Sequence, residues 1–312
     1  MNSEKSPLFP AVSLTSTTVL PHRSGDARLS LGHERPANNL APQRQGLARR
    51  VIWALSLWLW CHGLPAHAAV VHLAVASNFA KPIQLLVKDF EHTHPHQAKV
   101  SLGSTGKLFA QIQHGAPFDI LMAADQERPR LLEQAALAVP ESRRTYATGR
   151  LVLWSADPQR FATPTPINAW PRQAASPSAS ERAAIANPKL APYGAAAQQA
   201  LERAGVWQTW KARLVTGENI AQTHQFVASG NAAIGLVARS QVMVGDRVVS
   251  GSGWAVPEAW HAPIAQDLVS LRRAQDNPAA AAWVRYISSP RATALIRTAG
   301  YGTPAETERG RP

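Results

Sequence analysis

The chain has 312 residues, and its 32 Lys and Arg against 20 Asp and Glu give a formal charge of +12. The basic residues are scattered singly or in pairs with no cluster of five or more, which argues against a nucleic-acid stripe or a polybasic membrane surface and for long-range attraction of small anions. One cysteine, Cys61, leaves no disulfide framework and no multi-thiolate metal site.

Residues 1–68 read as a leader. Residues 1–48 are rich in Pro, Ser, Arg and Asn and show no helical or strand period. Arg49 and Arg50 precede an apolar run at 51–60, and Ala66-His67-Ala68 supplies a small-x-small cleavage pattern, so processing is expected near Ala68. The apolar run is too short to span a bilayer. A leader starting at Met1 is long for export and the next methionine is Met122, so initiation nearer Leu47 is expected. The flanks of the arginine pair fit a twin-arginine signal poorly, and general export is expected instead. Trp60 is too bulky for a lipoprotein site at Cys61, which leaves with the leader. From Ala69 onward there is no cysteine, and 25 Lys and Arg against 17 Asp and Glu leave a formal charge of +8. That composition suits an oxidising periplasm.

Residues 71–76 alternate and predict a buried first strand, followed by a helix over 81–94 with Ile83, Leu86, Val87 and Phe90 on one face. A short strand at 99–102, a helix from 108 and an apolar strand at 118–123 continue the pattern. Residues 148–155 predict another strand, and 157–180, rich in Pro, Ala and Ser, a surface excursion. A second series follows: strand 182–186, helix 194–204, short helix 207–211, strand 213–215, helix 221–229 and strand 233–237. Residues 264–271 return as a strand. Helices over 278–287, opened by Asn277 and Pro278, and over 291–298 close the fold. Residues 303–312 are expected to fray. Alternating strands and helices predict an α/β fold with mainly parallel sheets. Two similar halves, linked by 148–155 outward and 264–271 back, predict two lobes. The expected division is a leader at 1–68, one lobe from 69–147 and 265–312, and a second from 148–264.

Four strand-to-helix turns carry small donors. Ser77 and Asn78 follow the first strand, and Gly103-Ser104-Thr105-Gly106 precedes the second helix. Pro192-Tyr193-Gly194 opens the helix of the second half; Pro192 lacks an N–H, so Tyr193 supplies the first free amide. Glu218-Asn219-Ile220 repeats the arrangement. Helix N-termini attract anions through unpaired N–H groups and partial positive charge. A single such turn is an ordinary cap; four, two in each half, point to a bound oxyanion at the carboxyl ends of the strands. Gly106-Lys107-Leu108 lacks the ending of a nucleotide P-loop.

The runs at 74–82 (AVASNFAKP), 103–126 (GSTGKLFAQIQHGAPFDILMAADQ), 146–154 (YATGRLVLW), 185–194 (IANPKLAPYG) and 228–242 (ASGNAAIGLVARSQV) resemble the periplasmic molybdate-binding proteins of ABC transporters. The resemblance extends from Val71 to Gly302. It implies a two-lobe periplasmic binding protein of the type II kind that binds molybdate or tungstate and serves a membrane permease. It also implies no catalysis, no cofactor and no nucleic-acid partner, in a monomer. By motif it implies anion contacts at Ser77, Asn78, Ser104 and Thr105, with backbone donation at Tyr193 and Ile220. One branch of the family has a donor tyrosine where this chain has Ala238; Asn78 is expected to replace that phenol.

Asp125 is expected to brace the structure and point away from the ligand, so that every group facing the anion is a neutral donor. His92, His94 and His96 offer a metal-ligand pattern, but with no second ligand cluster they read as a loop. Of the ten Trp, three lie in the leader; Trp154, Trp207, Trp210 and Trp283 fit core or cleft edges. A hydrolase lacks its G-x-S-x-G elbow here. The alternative ligands are another oxyanion or small anion: sulfate, phosphate, phosphonate or an organic acid, the last disfavoured by turns without Arg clamps.

Overall fold

A computed structural model of the chain describes residues 68–163, 169–245 and 247–303. The readings of the leader, its start and Cys61 lie outside these residues. Strands β1 (Val70–Ala76), β2 (Gln97–Gly103), β3 (Ile120–Met122), β4 (Arg144–Gly149) and β12 (Ile264–Ser270) form one sheet in the order β2-β1-β3-β12-β4. A second five-stranded sheet has the order β11-β5-β8-β6-β7, from β5 (Leu151–Ser155), β6 (Ala183–Ala186), β7 (Leu214–Gly217), β8 (Ile234–Ala238) and β11 (Ser252–Ala255). Each sheet is parallel except at its crossing strand: β12 runs against β3 and β4, and β5 runs against β8 and β11.

Strand periodicity explains why both faces of each sheet are covered. Val71, Leu73 and Val75 of β1, Ile120 and Met122 of β3 and Leu268 of β12 enter one core. That core lies under α1 (Ala80–Thr93), α8 (Pro278–Ile287) and α9 (Pro290–Thr298). Their neighbours Ala74, Leu121 and Val269 face a second core with Leu108 and Ile112 of α2 (Thr105–Gln113) and Leu132 of α3 (Glu127–Gln134). In the second sheet Leu151, Leu153, Ile185, Ile234 and Leu236 pack on α4 (Pro192–Arg203) and α5 (Trp207–Lys211). Val152, Trp154, Ala184 and Val237 face the other way, toward Val227 of α6 (Ile220–Ala228). Each fully buried aliphatic side chain contributes about 1.5–3 kcal/mol.

Three expectations change. The predicted strand at 148–155 is two strands in different sheets, separated at Arg150. Gly149 makes the crossing possible, because a Cβ there would collide with the Tyr193 hydroxyl. The stretch 157–180 is not all surface: Phe161 and Ala174 are buried, and Trp210 Nε1 donates to the Ala174 carbonyl at 2.9 Å. Thr303 is buried rather than frayed, beside Gly302, which bridges to Thr148. Helix α3, the short helix α7 (Arg239–Val242), the β9 (Met243–Val244) and β10 (Arg247–Val248) pair, and β11 carry too weak a period to be read from sequence.

Candidate functional site

The four donor-rich turns leave register-paired strand ends. Ala76 of β1 lies opposite Gly103 of β2, and Ala186 of β6 lies opposite Gly217 of β7. Parallel pairing therefore delivers two chain turns side by side from each sheet.

In the first turn Ser77–Phe79 forms one 3-10 turn that runs into α1, and no side chain caps either segment. Ser77 and Asn78 are thus turn residues rather than helix caps. Ser104 does occupy the cap position of α2, in extended geometry, yet its hydroxyl makes no cap bond. That hydroxyl is buried without a partner, and the residue is only 2% exposed. Asn277 and Ser289 cap their helices in the ordinary way, accepting from the amides of Ala279 at 2.9 Å and Ala292 at 3.2 Å. Thr105, the first residue of α2, accepts the Ala124 N–H on its Oγ1 at 3.1 Å, which leaves the hydroxyl proton to donate elsewhere. Thr105→Val is expected to destabilise the fold by about 1–3 kcal/mol by orphaning that buried amide, whereas Thr105→Ser retains most of the stability. Thermal denaturation of the two variants checks this.

Tyr193 is the second residue of α4, behind Pro192. Its ring is buried, and its hydroxyl lies close to the Gln266 side chain against Gly149 without a well-formed hydrogen bond. Ile220 opens α6, and the Asn219 side chain takes the amides of Ala221 at 3.0 Å and Gln222 at 3.1 Å, passing over that of Ile220. First-turn amides have no intrahelical partner.

Direct contacts join the turns of the two lobes. The Gly106 N–H donates to the Leu190 carbonyl at 2.8 Å, and Arg128 Nη2 donates to the Lys189 carbonyl at 2.9 Å. Lys107 Nζ meets Glu218 Oε1 at 2.8 Å. Lys81 Nζ donates to the Gln241 carbonyl at 2.7 Å, and Gln241 Nε2 reaches the Ile220 carbonyl at 3.0 Å. The helix that begins at Ile220 packs against the Ser77–Phe79 turn. All six candidate residues are buried, and the turns that carry them are linked by these contacts.

Asn78 needs a correction. Its side-chain amide does not stand in for the phenol missing at Ala238, because Nδ2 donates to Gln266 Oε1 at 2.9 Å and to the Tyr301 hydroxyl at 3.0 Å. Both amide protons are used, so its backbone N–H is the group left to serve a ligand. Gln266 also meets the Tyr146 hydroxyl at 3.1 Å. Sequence reading missed Gln266, Tyr301, Tyr146 and Ser240, though the polar pair Gln266-Asp267 inside an otherwise largely apolar strand was a usable signal.

Asp125 accepts the Arg128 backbone N–H at 3.0 Å and pairs with its guanidinium. Burial pushes its carboxyl above the ordinary value against the opposing pull of Arg128. Among the described residues no cluster of three or more His, Cys, Asp or Glu is placed to hold a metal. His94 stacks on Phe90 with centroids 4.6 Å apart, and His96 Nδ1 accepts from the Ala69 amide at 3.3 Å. Trp210 and Trp283 are fully buried, Trp154 is buried and stacked on His224, and Trp207 is partly buried.

Residues 71–302 match a family model described as bacterial extracellular solute-binding protein. Over 237 residues the chain is 46% identical to the molybdate-binding protein ModA of Azotobacter vinelandii, an alignment covering 76% of this chain and 91% of that protein. It is 40% identical over 240 residues to ModA of Rhodobacter capsulatus, covering 77% of this chain and 91% of the relative. Among solved structures, the periplasmic molybdate-binding protein of Azotobacter vinelandii superposes with a TM-score of 0.69 at 33% identity, covering 75% of this chain and 99% of that one.

Proposed function

The chain belongs to the bacterial extracellular solute-binding protein family, and from that premise we propose that it captures molybdate, and tungstate with it, between two lobes for delivery to the membrane permease of an ABC transporter. Its role is to bind a solute rather than transform one. The reading places the protein in the periplasm, as a monomer released by cleavage near Ala68, with one lobe from 69–147 and 265–312 and the other from 148–264. The observation that carries the reading is the Ser104 hydroxyl, buried without a partner at a helix opening it does not cap. The uncapped turns at Ser77–Asn78 and Tyr193, and the amide of Ile220 left over by Asn219, support the same reading, since each leaves helix-opening N–H groups without a side-chain cap.

The chemistry of the donors favours a fully ionised tetrahedral oxyanion. Ser77, Asn78, Thr105, Tyr193 and Ile220 present N–H groups, and Ser77, Ser104 and Thr105 add hydroxyls. Each hydrogen bond to a charged group contributes on the order of 1.5–3 kcal/mol, so several together suffice for tight capture without Arg or Lys. With Asp125 engaged by Arg128, a protonated ligand such as hydrogen phosphate finds no carboxylate acceptor. Donors on rigid turns also set the span between oxygens, so sulfate, with shorter bonds, loses simultaneous contacts.

Titration calorimetry with molybdate, tungstate and sulfate tests this. Molybdate and tungstate are expected to bind at least a hundredfold more tightly than sulfate, roughly the loss of one or two charged hydrogen bonds. Equal affinity for all three removes size selection, and binding of none of the three removes the oxyanion reading.

A further inference from the structure

We infer that Ser240 and Tyr301 are positioning residues of the anion site: from opposite sides of the lobe boundary their hydroxyls clasp the Asn78 carbonyl and hold the Ser77–Asn78 turn in its binding geometry once the lobes close. The inference rests on the oxyanion reading above for the ligand, but not for the contact itself.

The Tyr301 hydroxyl donates to the Asn78 carbonyl at 2.7 Å, and Ser240 Oγ lies 3.1 Å from the same oxygen and 2.9 Å from the Tyr301 hydroxyl. A carbonyl oxygen has two lone pairs, so it can take both donors. Ser240, Tyr301 and Asn78 are all buried, at 7%, 5% and 2% exposure, so water does not replace a lost bond cheaply. Burial pushes the Tyr301 phenol up to about 12, which keeps its proton in place at any physiological pH.

The two hydroxyls come from different lobes. Tyr301 packs in the first-lobe core with Val71, Leu73 and Phe79, and its neighbour Gly302 bridges to Thr148. Ser240 sits on α7, directly after β8 of the second sheet. Helix α7 is itself tied to the second-lobe donor turn. Gln241 Oε1 accepts the Ala238 amide at 2.9 Å while Gln241 Nε2 donates to the Ile220 carbonyl at 3.0 Å. The Ile220 turn is thus linked by a hydrogen bond to Gln241, through the backbone of α7 to its neighbour Ser240, and by a second hydrogen bond from there to Asn78. Tyr301 adds a second hold on the same residue by accepting from Asn78 Nδ2. Opening the lobes separates Ser240 from Asn78 but leaves Tyr301 in contact with it.

Stopped-flow binding of molybdate to the wild type, Ser240→Ala and Tyr301→Phe tests the inference, together with melting of each ligand-free protein. Ser240→Ala is expected to raise the dissociation rate roughly threefold to tenfold, the worth of one hydrogen bond, with the association rate and ligand-free melting temperature unchanged. Tyr301→Phe is expected to raise the dissociation rate by at least as much and also to lower the ligand-free melting temperature, because its contact lies within one lobe. A residue that merely supports the fold would move the melting temperature and spare the dissociation rate. Ser240→Ala behaving in that way overturns the inference.

Spin labels at Gln113→Cys and Gln225→Cys, in the cysteine-free chain from Ala69, report lobe closure without any ligand. Ser240→Ala is expected to deplete the short-distance population relative to the unsubstituted protein, and identical distance distributions overturn the inference. Failure of the wild type to bind molybdate would count against the oxyanion reading, leaving the label distances to judge the clasp.

Discussion

Ile220→Pro is expected to weaken molybdate binding by one to two orders of magnitude, about 1.5–3 kcal/mol, while the protein still folds. The substitution removes one N–H and little else from the backbone. Ile220 is the first residue of α6, where proline is tolerated because its missing donor has no intrahelical partner. Asn219 precedes it with φ −144° and ψ 174°, the extended conformation a residue before proline prefers. Asn219 continues to cap through the amides of Ala221 and Gln222. The Ile220 side chain is 3% exposed and shortening it has its own cost, so Ile220→Ala serves as the control. It loses more side chain than proline does but keeps the N–H. Calorimetry on both variants decides the matter: an equal loss of affinity in Ile220→Ala would assign the effect to packing and remove the amide from the site.

Gly194→Ala is expected to lower the melting temperature by roughly 5–10 °C, at about 2–4 °C per kcal/mol for a protein of this size. A Cβ at Gly194 would collide with the carbonyl oxygen of Ala186 and come within 2.7 Å of its carbonyl carbon and 2.8 Å of that of Asn187. All three are backbone atoms of the β6 end, so no side-chain rotation relieves the contact. Helix α4 has to lift from β6, and overpacking of that kind costs about 1–3 kcal/mol or somewhat more. The same movement displaces the Tyr193 amide from the end of β6, so affinity for molybdate is expected to fall alongside stability. Scanning calorimetry with and without molybdate separates the two effects, because bound ligand raises the melting temperature only in a protein that still binds it. A variant that melts with the wild type would show that the helix tolerates the methyl group.

The turns were legible because their signals are local. Pro192 behind Tyr193, the glycines flanking Ser104-Thr105 and Asn219 before an apolar periodic run each announce a helix opening within a few residues. The cores were legible for a similar reason: Ile83, Leu86 and Phe90 repeat at helical spacing, and Val71, Leu73 and Val75 at strand spacing. Where one local pattern served two purposes the reading failed. Residues 148–155 look like one strand because nothing local marks that Gly149 ends one sheet and Leu151 begins another.

The sequence alone determined the α/β alternation and the four strand-to-helix turns, since secondary structure and helix-end chemistry depend on neighbours along the chain. Only the tertiary structure decided what each donor is free to do. Asn78 loses its side-chain amide to Gln266 and Tyr301, 188 and 223 residues away. Ser104 keeps a hydroxyl that no protein group claims. Hydrogen bonds at that separation follow from how the sheets pack, and a pattern read over a dozen residues carries no trace of them.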